Sequence, residues 1–467
     1  MIARAGPSDP GVGAVRLRIP AALFREIQRD LQRPHAHADE RIGFLSAATG
    51  RGEDGEWLLL AKSYEPVPDE RYVEDETVGA RIDRHAIRGA MQRALDTGLG
   101  IFHVHMHPHR GVPRFSATDR GDQPRLVDSL ASVAPAVPHG MLVLSEDRAH
   151  AWVRVPGMAD MVVPALISIV GDPLVLTWPG AEMGEEAERY SRQGFLGPDA
   201  QLALENARVG IIGMGGGGSH LVQQLLHAGV RHLRVFDHDR LDESNLNRTV
   251  GATTWDAEEQ IRKVAIARRL AAAVLPDNRM VAVPGEWQQC PELLRGCDVV
   301  IGAVDTFAGR RDLEAVCRRY LIPLIDIGMD VHTLPGEPPR MGGQVIVSIP
   351  DARCMHCLGF LTDERLAREA ANYGGAGGRP QVVWPNGVLA STAVGIVVDL
   401  LTGWSGVRDR IPFLSYDGNL GILGEHPRWP YIGHGPCPHY PAGETGNPVF
   451  SRGGSWGDDD SRQALGR

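Results

Sequence analysis

The run Arg208-Val-Gly-Ile-Ile-Gly213-Met-Gly215-Gly216-Gly217-Gly218-Ser219 constrains the fold of this chain more than any other feature. An apolar, strand-like stretch breaks into glycines and is followed at once by a helix-like run over residues 220–228. A turn of this kind leads into a helix N-terminus whose backbone N–H groups point outward, and glycine is required because a Cβ would block a close approach to them. Strand-like runs return at Leu233-Arg-Val-Phe-Asp237 and Asp298-Val-Val-Ile-Gly302, so the chain from 187 to about 404 reads as a doubly wound α/β domain. A shorter alternation covers 15–155, with strands predicted around Trp57-Leu-Leu-Leu-Ala61, Gly100-Ile-Phe-His-Val-His105 and Met141-Leu-Val-Leu144. Helices are predicted there over 21–31, 85–96 and 126–133.

The expected organisation is an α/β domain over 12–165, a linker over 166–186, a second α/β domain over 187–445 and a disordered tail over 446–467. The length of 467 residues leaves room for two or three such units. With 48 Lys+Arg against 58 Asp+Glu the net charge is -10, which argues against a nucleic-acid partner. No apolar run reaches the roughly 18 residues of a membrane helix and the first residues lack the apolar core of a signal peptide, so a soluble, cytoplasmic protein without membrane contact is expected. Six cysteines are too few for a disulfide framework, and the close pair Cys354 and Cys357 reads as a metal or redox feature.

The glycine turn alone is ambiguous. Gly213, Gly215 and Gly218 satisfy the dinucleotide pattern G-x-G-x-x-G, and Asp237 stands where an acidic residue would hold the ribose of NAD. The downstream charges tip the balance. Asp237-His-Asp239, Asn245-Leu-Asn-Arg248, Lys263 and Asp305 supply the cations and the magnesium-binding carboxylate that splitting a triphosphate needs. Singly, Lys263 or Arg248 reads as a solvated charge and Asp305 as a helix cap; together they favour ATP, with Gly216 and Ser219 completing the phosphate loop.

Arg189-Tyr-Ser-Arg192-Gln193, the 213–219 loop, Asp237-His-Asp239, Ser244-Asn-Leu-Asn-Arg248, Lys263 and Val304-Asp305 resemble, in order and spacing, the ThiF/MoeB/HesA adenylyltransferases, relatives of the ubiquitin-activating enzymes. The resemblance covers about 187–404 and implies a Rossmann-like adenylation domain. It implies that Asp239 holds the ATP ribose, that Arg248 and Lys263 neutralise the triphosphate and that Asp305 holds Mg2+. It also implies a homodimer in which Arg192 reaches the partner's site. Relatives with a nucleophilic cysteine carry it in the stretch corresponding to 371–386, which has none here, so the acyl group is expected to pass to a separate acceptor.

In the first domain, His103-Val-His105-Met-His107-Pro108 places its histidines on one face of a predicted strand. Ser116 and Asp119 follow in Phe115-Ser-Ala-Thr-Asp119, and two imidazoles with a carboxylate and an open position form the ligand set of a hydrolytic zinc. These residues resemble the JAMM (JAB/MPN) metalloproteases, although the stretch between His107 and Ser116 is one residue longer than the commonest family spacing. The resemblance implies His105, His107 and Asp119 as Zn2+ ligands, Ser116 as an oxyanion donor and Glu40 as general base. The register through His103 and His105 is disfavoured, because no proline follows the second histidine.

The adenylyltransferase family often pairs a C-x-x-C, here Cys354-Met-His-Cys357, with a second cysteine pair near the end of the domain. In this chain Cys437 stands alone between His434 and His439. A Cys3His zinc from Cys354, Cys357, Cys437 and either histidine is expected. The domain pair suggests trimming the C-terminus of a ubiquitin-like or sulfur-carrier protein, or of a peptide, before its adenylation, or else reversing the conjugation. An NAD-dependent oxidoreductase and a non-catalytic first domain are the rival readings.

Overall fold

The computed structural model describes residues 14–75, 78–180, 188–333, 335–371, 380–408, 410–433 and 435–446. His434, the 372–379 stretch and the tail from 447 onward therefore lie outside the described residues. The chain divides into two compact units. The first takes the described residues up to 180 together with 441–446, the second those from 188 to 440.

The first unit is built on one mixed sheet of strands β1 (Val15–Pro20), β2 (Gly43–Arg51), β3 (Trp57–Pro66), β4 (Gly100–Met106), β5 (His139–Leu144), β6 (Ala149–Arg154), β7 (Leu166–Val170) and β8 (Val175–Thr177). Their order is β6-β5-β4-β2-β3-β1-β7-β8. Helix α1 (Ala21–Leu31) buries Phe24, Ile27 and Leu31, while α2 (Arg84–Thr97) and α3 (Ala117–Val133) pack on each other and on β4. Leu17, Ile19, Leu45, Leu59, Phe102 and Leu142 form the core under α1. Two expectations are corrected here. Much of the expected linker over 166–186 is β7 and β8, because the apolar run Leu166-Ile-Ser-Ile-Val pairs in parallel with β1. The second domain, expected to run to 445, yields 441–446 to the first unit, where a Cβ on Gly446 would meet that of Ala48 at 2.5 Å.

The second unit carries the sheet order β11-β10-β9-β12-β13-β14-β15-β16. These strands are β9 (Arg208–Ile212), β10 (His232–Phe236), β11 (Val281–Val283), β12 (Val299–Gly302), β13 (Leu324–His332), β14 (Arg340–Ser348), β15 (Phe413–Asp417) and β16 (Ile422–Glu425). From β11 to β13 the neighbours are parallel and thereafter antiparallel. The helices are α4 (Ala200–Asn206), α5 (Gly216–Ala228), α6 (Thr254–Glu258), α7 (Lys263–Val274), α8 (Pro291–Arg295), α9 (Phe307–Arg319), α10 (Asp363–Ala371), α11 (Val383–Thr402) and α12 (Trp429–Ile432). Helix α11 is long and apolar enough to cross a membrane by length and composition alone, yet 61% of its apolar window is buried, and it packs on α5 and β13. The chain leaves β9 toward β10 on one side and later returns to β12 on the other, so the crevice beyond β9 and β12 is the topological switch point where ligands bind in such sheets.

Candidate functional sites

At that switch point Gly213 adopts φ +94, and a Cβ there would meet the carbonyl oxygen of Ala303 at 2.5 Å. Gly213 therefore lets β9 turn sharply against the end of β12. Helix α5 then begins at Gly216 with no side-chain cap, and its first N–H groups face the crevice mouth as an anion-binding terminus. Ser219 is fully buried: its hydroxyl donates to the carbonyl of Gly216 and accepts from the N–H of Val250, both at 3.0 Å. It braces the loop instead of presenting its hydroxyl to a nucleotide.

Asp237 is also committed to the loop. Its carboxylate accepts from the N–H of Met214 at 2.6 Å and that of Asp239 at 2.7 Å, while burial raises its pKa. Asp239, half-exposed, pairs with Lys263 Nζ at 2.7 Å, and the N–H of Lys263 donates to the carbonyl of Asp239. Lys263, the first residue of α7, is thereby tied to the turn that follows β10. Arg248 donates to the carbonyl of Ser244 and to Asn247 Oδ1, while Asn245 is buried and its amide donates to Ser244. A Cβ on Gly216 would lie 3.4 Å from that of Arg248, which places the arginine over the α5 terminus.

Asp305, beyond β12, is exposed; Thr306, the adjacent residue, caps α9 by accepting from the N–H of Gly309. The carboxylate is of a donor type that could hold Mg2+. Arg192 is exposed and makes no hydrogen bond or ion pair among the described residues.

The cysteine cluster lies in the same unit. Sγ of Cys354 and Cys357 are 3.7 Å apart, those of Cys357 and Cys437 3.8 Å. His439 Nδ1 lies 3.4, 3.3 and 3.9 Å from Cys354, Cys357 and Cys437. Points so spaced are corners of a tetrahedron whose centre lies roughly 2.3 Å from each, the Zn–S distance. The donor set fits a closed zinc site. A hydrogen bond from Cys354, with help from the Arg318 guanidinium, pulls the Cys437 thiol well below its ordinary range, which favours one thiolate in the cluster. His439 is the histidine brought to the sulfurs.

In the first unit, β4 carries His103 and His105, and His107 follows just past its end, near the start of α3. His105 Nε2 lies 3.4 Å and His107 Nε2 3.9 Å from Asp119 Oδ2, and His107 Nε2 lies 4.0 Å from Glu40 Oε1. His105 is 1% exposed, and neither ring nitrogen makes a hydrogen bond. A buried imidazole left so, facing a carboxylate and a second imidazole, suits a metal ligand. Burial lowers His107, with the neighbouring His105 adding to it, which keeps the ring neutral. Burial of Asp119 would raise its carboxyl, but His105 and the Ser116 donors hold it well below the ordinary range.

Ser116 caps α3: its hydroxyl accepts from the N–H of Asp119 at 3.1 Å while its own N–H donates to Asp119 Oδ2 at 2.7 Å. The serine expected as an oxyanion donor is also the residue that fixes the aspartate. Glu40 is held by the N–H of Asp39 and its own, both donating to the carbonyl of Gly79, and by Arg41, which anchors to Asp69 and to the Arg33 and Pro34 carbonyls. His103, 5% exposed, is also buried, and burial takes its pKa down to about 3.

Residues 189–427 match the ThiF family, just over half of the chain. The chain belongs to the ThiF family. It is 33% identical over 178 residues to the SAMP-activating enzyme E1 of Haloferax volcanii, covering 37% of this chain and 62% of that protein. It is 38% identical over 131 residues to the sulfur carrier protein adenylyltransferase of Thermus thermophilus, covering 27% and 48%. To the molybdopterin-synthase adenylyltransferase of Salmonella typhimurium it is 32% identical over 187 residues, covering 38% and 71%. The chain thus spans less than two thirds of the Haloferax and Thermus proteins.

Within the ThiF unit, sequence reasoning missed Glu369. Its carboxylate accepts from the N–H groups of Phe307 and Ala308, both at 2.9 Å, and so clamps the helix that follows Asp305. It also missed Arg310, whose Nε donates to the carbonyl of Val304 at 2.9 Å. Glu369 lies about sixty residues from its partners, a pairing that no local spacing reveals.

Proposed function

We propose that this ThiF-family chain uses ATP to adenylate the C-terminal carboxylate of a small ubiquitin-like or sulfur-carrier protein, or of a peptide, in the cytoplasm. The reading is carried by Arg248 seated over the uncapped N-terminus of α5, with Lys263 tied to Asp239 beyond β10 and Asp305 exposed beyond β12. The names of the relatives point the same way. A carboxylate is a weak nucleophile, so its attack on the α-phosphorus depends on in-line positioning and charge neutralisation. Lys263 and Arg248 neutralise the phosphates, and the α5 N–H groups hold them while pyrophosphate departs and the acyl-adenylate remains. Asp305 would hold Mg2+, which shields the leaving charge. Hydride transfer is the weaker reading, because both Asp237 oxygens are engaged by backbone N–H groups instead of facing a ribose.

The first unit is read as a JAMM-type zinc isopeptidase that matures or deconjugates the same class of substrate. His105, His107 and Asp119 would hold the ion, which supplies a Lewis acid. Glu40 then accepts the proton of the attacking water, and Ser116 keeps Asp119 aimed.

The purified protein with its carrier substrate is expected to exchange pyrophosphate into ATP, and Asp305→Ala to reduce the exchange by about a hundredfold or more. Full exchange by a folded Asp305→Ala chain would remove that residue from the mechanism. Glu40→Gln is expected to keep its zinc yet lose cleavage after a ubiquitin-like C-terminal tail, because an amide takes no proton. Undiminished cleavage by this variant would show the base to lie elsewhere.

A further inference from the structure

Asp119 Oδ1 accepts a 2.7 Å hydrogen bond from Gln123 Nε2, one turn further along α3. The other oxygen, Oδ2, accepts from the N–H of Ser116 and is the one that faces His105 and His107. Each carboxylate oxygen therefore has its own partner, and the plane of the group is fixed. An i,i+4 Gln–Asp pair on an exposed helix face would only support the helix, by about 0.2–0.5 kcal/mol. This pair points inward: Asp119 is 8% exposed, and the Gln123 Oε1 atom is buried. An ionised carboxylate accepts only, so the amide must turn its NH2 to Asp119 and its oxygen away from it, toward the buried imidazole of His103.

We propose that Gln123 is the positioning residue of the metal site, locking Asp119 so that Oδ2 alone is presented to the ion, with His103 packed beneath it as support and not as a ligand. The proposal rests on the zinc reading of the first unit and names a residue outside the motif that led to it. Groups that orient a metal ligand from behind set metal affinity by about 10–100-fold without touching the ion.

The test uses the full chain, with zinc affinity measured by competition against a chromogenic chelator and with the visible spectrum of the Co2+-substituted protein. Gln123→Met keeps the volume and removes the donor; Gln123→Glu keeps the shape and replaces the donor with an acceptor, guarding against misfolding of the first variant. Both are expected to bind the exchangeable ion about 10–100-fold more weakly, with an altered Co2+ spectrum and an unchanged second ion in the cysteine site. A residue that merely stabilised α3 would shift the melting temperature and leave affinity and spectrum alone. Affinity within about threefold of the parent in both variants overturns the proposal while leaving the zinc reading intact. A parent chain with no ion at His105 and His107 overturns both.

Discussion

Asp326, beside the crevice proposed to bind the nucleotide, shows how a buried carboxyl ties stability to pH. It lies on β13 and is fully buried, with Arg310 Nη1 3.5 Å from Oδ1 and no hydrogen bond to either oxygen. The same arginine holds the carbonyl of Val304, next to Asp305, so this pair backs the loop that carries the magnesium candidate. Burial pushes Asp326 up to about 7, against the Arg310 charge that lowers it. With the folded value raised above the unfolded one of about 4, the folded chain binds this proton more tightly. Its contribution to stability is complete below about pH 4 and is lost as pH rises through about 7. Urea unfolding of the second unit is expected to show stability declining between about pH 4 and about pH 7 and levelling off above, with a flatter profile in Asp326→Asn. Equal slopes in parent and variant would show that Asp326 is ionised throughout. The charges beyond β10 obey a different logic: Lys263 is held by the exposed Asp239, so its charge is already compensated.

Among the elements, the cysteine–histidine cluster that would hold zinc joins the turn after β14 to the segment after α12, about eighty residues apart in the chain. Closing so long a loop at one point stabilises the fold, and removing the metal should release its end. Cys357→Ser is therefore expected to lose one zinc ion per chain and to lower the melting temperature of the second unit by about 5 °C or more. Zinc content unchanged by that substitution would remove Cys357 from the site. The elements also show what local sequence carries and what it does not. Helix α1 was legible residue for residue, because Phe24, Ile27 and Leu31 recur at helical spacing. The histidine face of β4 was legible from its period of two. Helix α3 was expected from 126 but begins at Ala117, since Gly121 and Pro124 hide the first turns that the Ser116–Asp119 capping box secures. The choice between His434 and His439 lay beyond sequence because it depends on how a turn brings one ring to three distant sulfurs. The clamp of Glu369 on α9 is a contact between helices with no shared period. The candidate nucleotide-site groups could be read from sequence because they follow one another along β9, β10, α7 and β12, whereas Glu369 and Arg310, which hold the segment after β12, come from elsewhere in the fold.

At the scale of the whole molecule, each ThiF unit is expected to be completed by a second copy of itself. Arg192 is exposed and makes no ion pair or hydrogen bond among the described residues, and a guanidinium of this kind suits bidentate binding of a phosphate. Phe195, three residues on, is 69% exposed and stacks edge-on with Trp404, itself 48% exposed, at a centroid distance of 5.5 Å. An exposed aromatic pair beside a cation fits a self-complementary interface, in which each copy covers the other's rings and lends its arginine across a two-fold axis. Such an arrangement makes a sharp prediction for mixed subunits. If Arg192→Ala chains are mixed with Asp305→Ala chains and allowed to reassort at random, half of the dimers are hybrids. In each hybrid, the site on the Arg192→Ala chain keeps its own Asp305 and receives an intact Arg192 from the other chain, while the second site lacks both. Pyrophosphate exchange should therefore recover to about a quarter of the parent level, although each variant alone is nearly inactive. If the arginine worked within its own chain, no hybrid site would be complete and mixing would restore nothing. Sedimentation of the mixture establishes that subunits exchange, so an absence of rescue despite exchange would place Arg192 outside the partner's site.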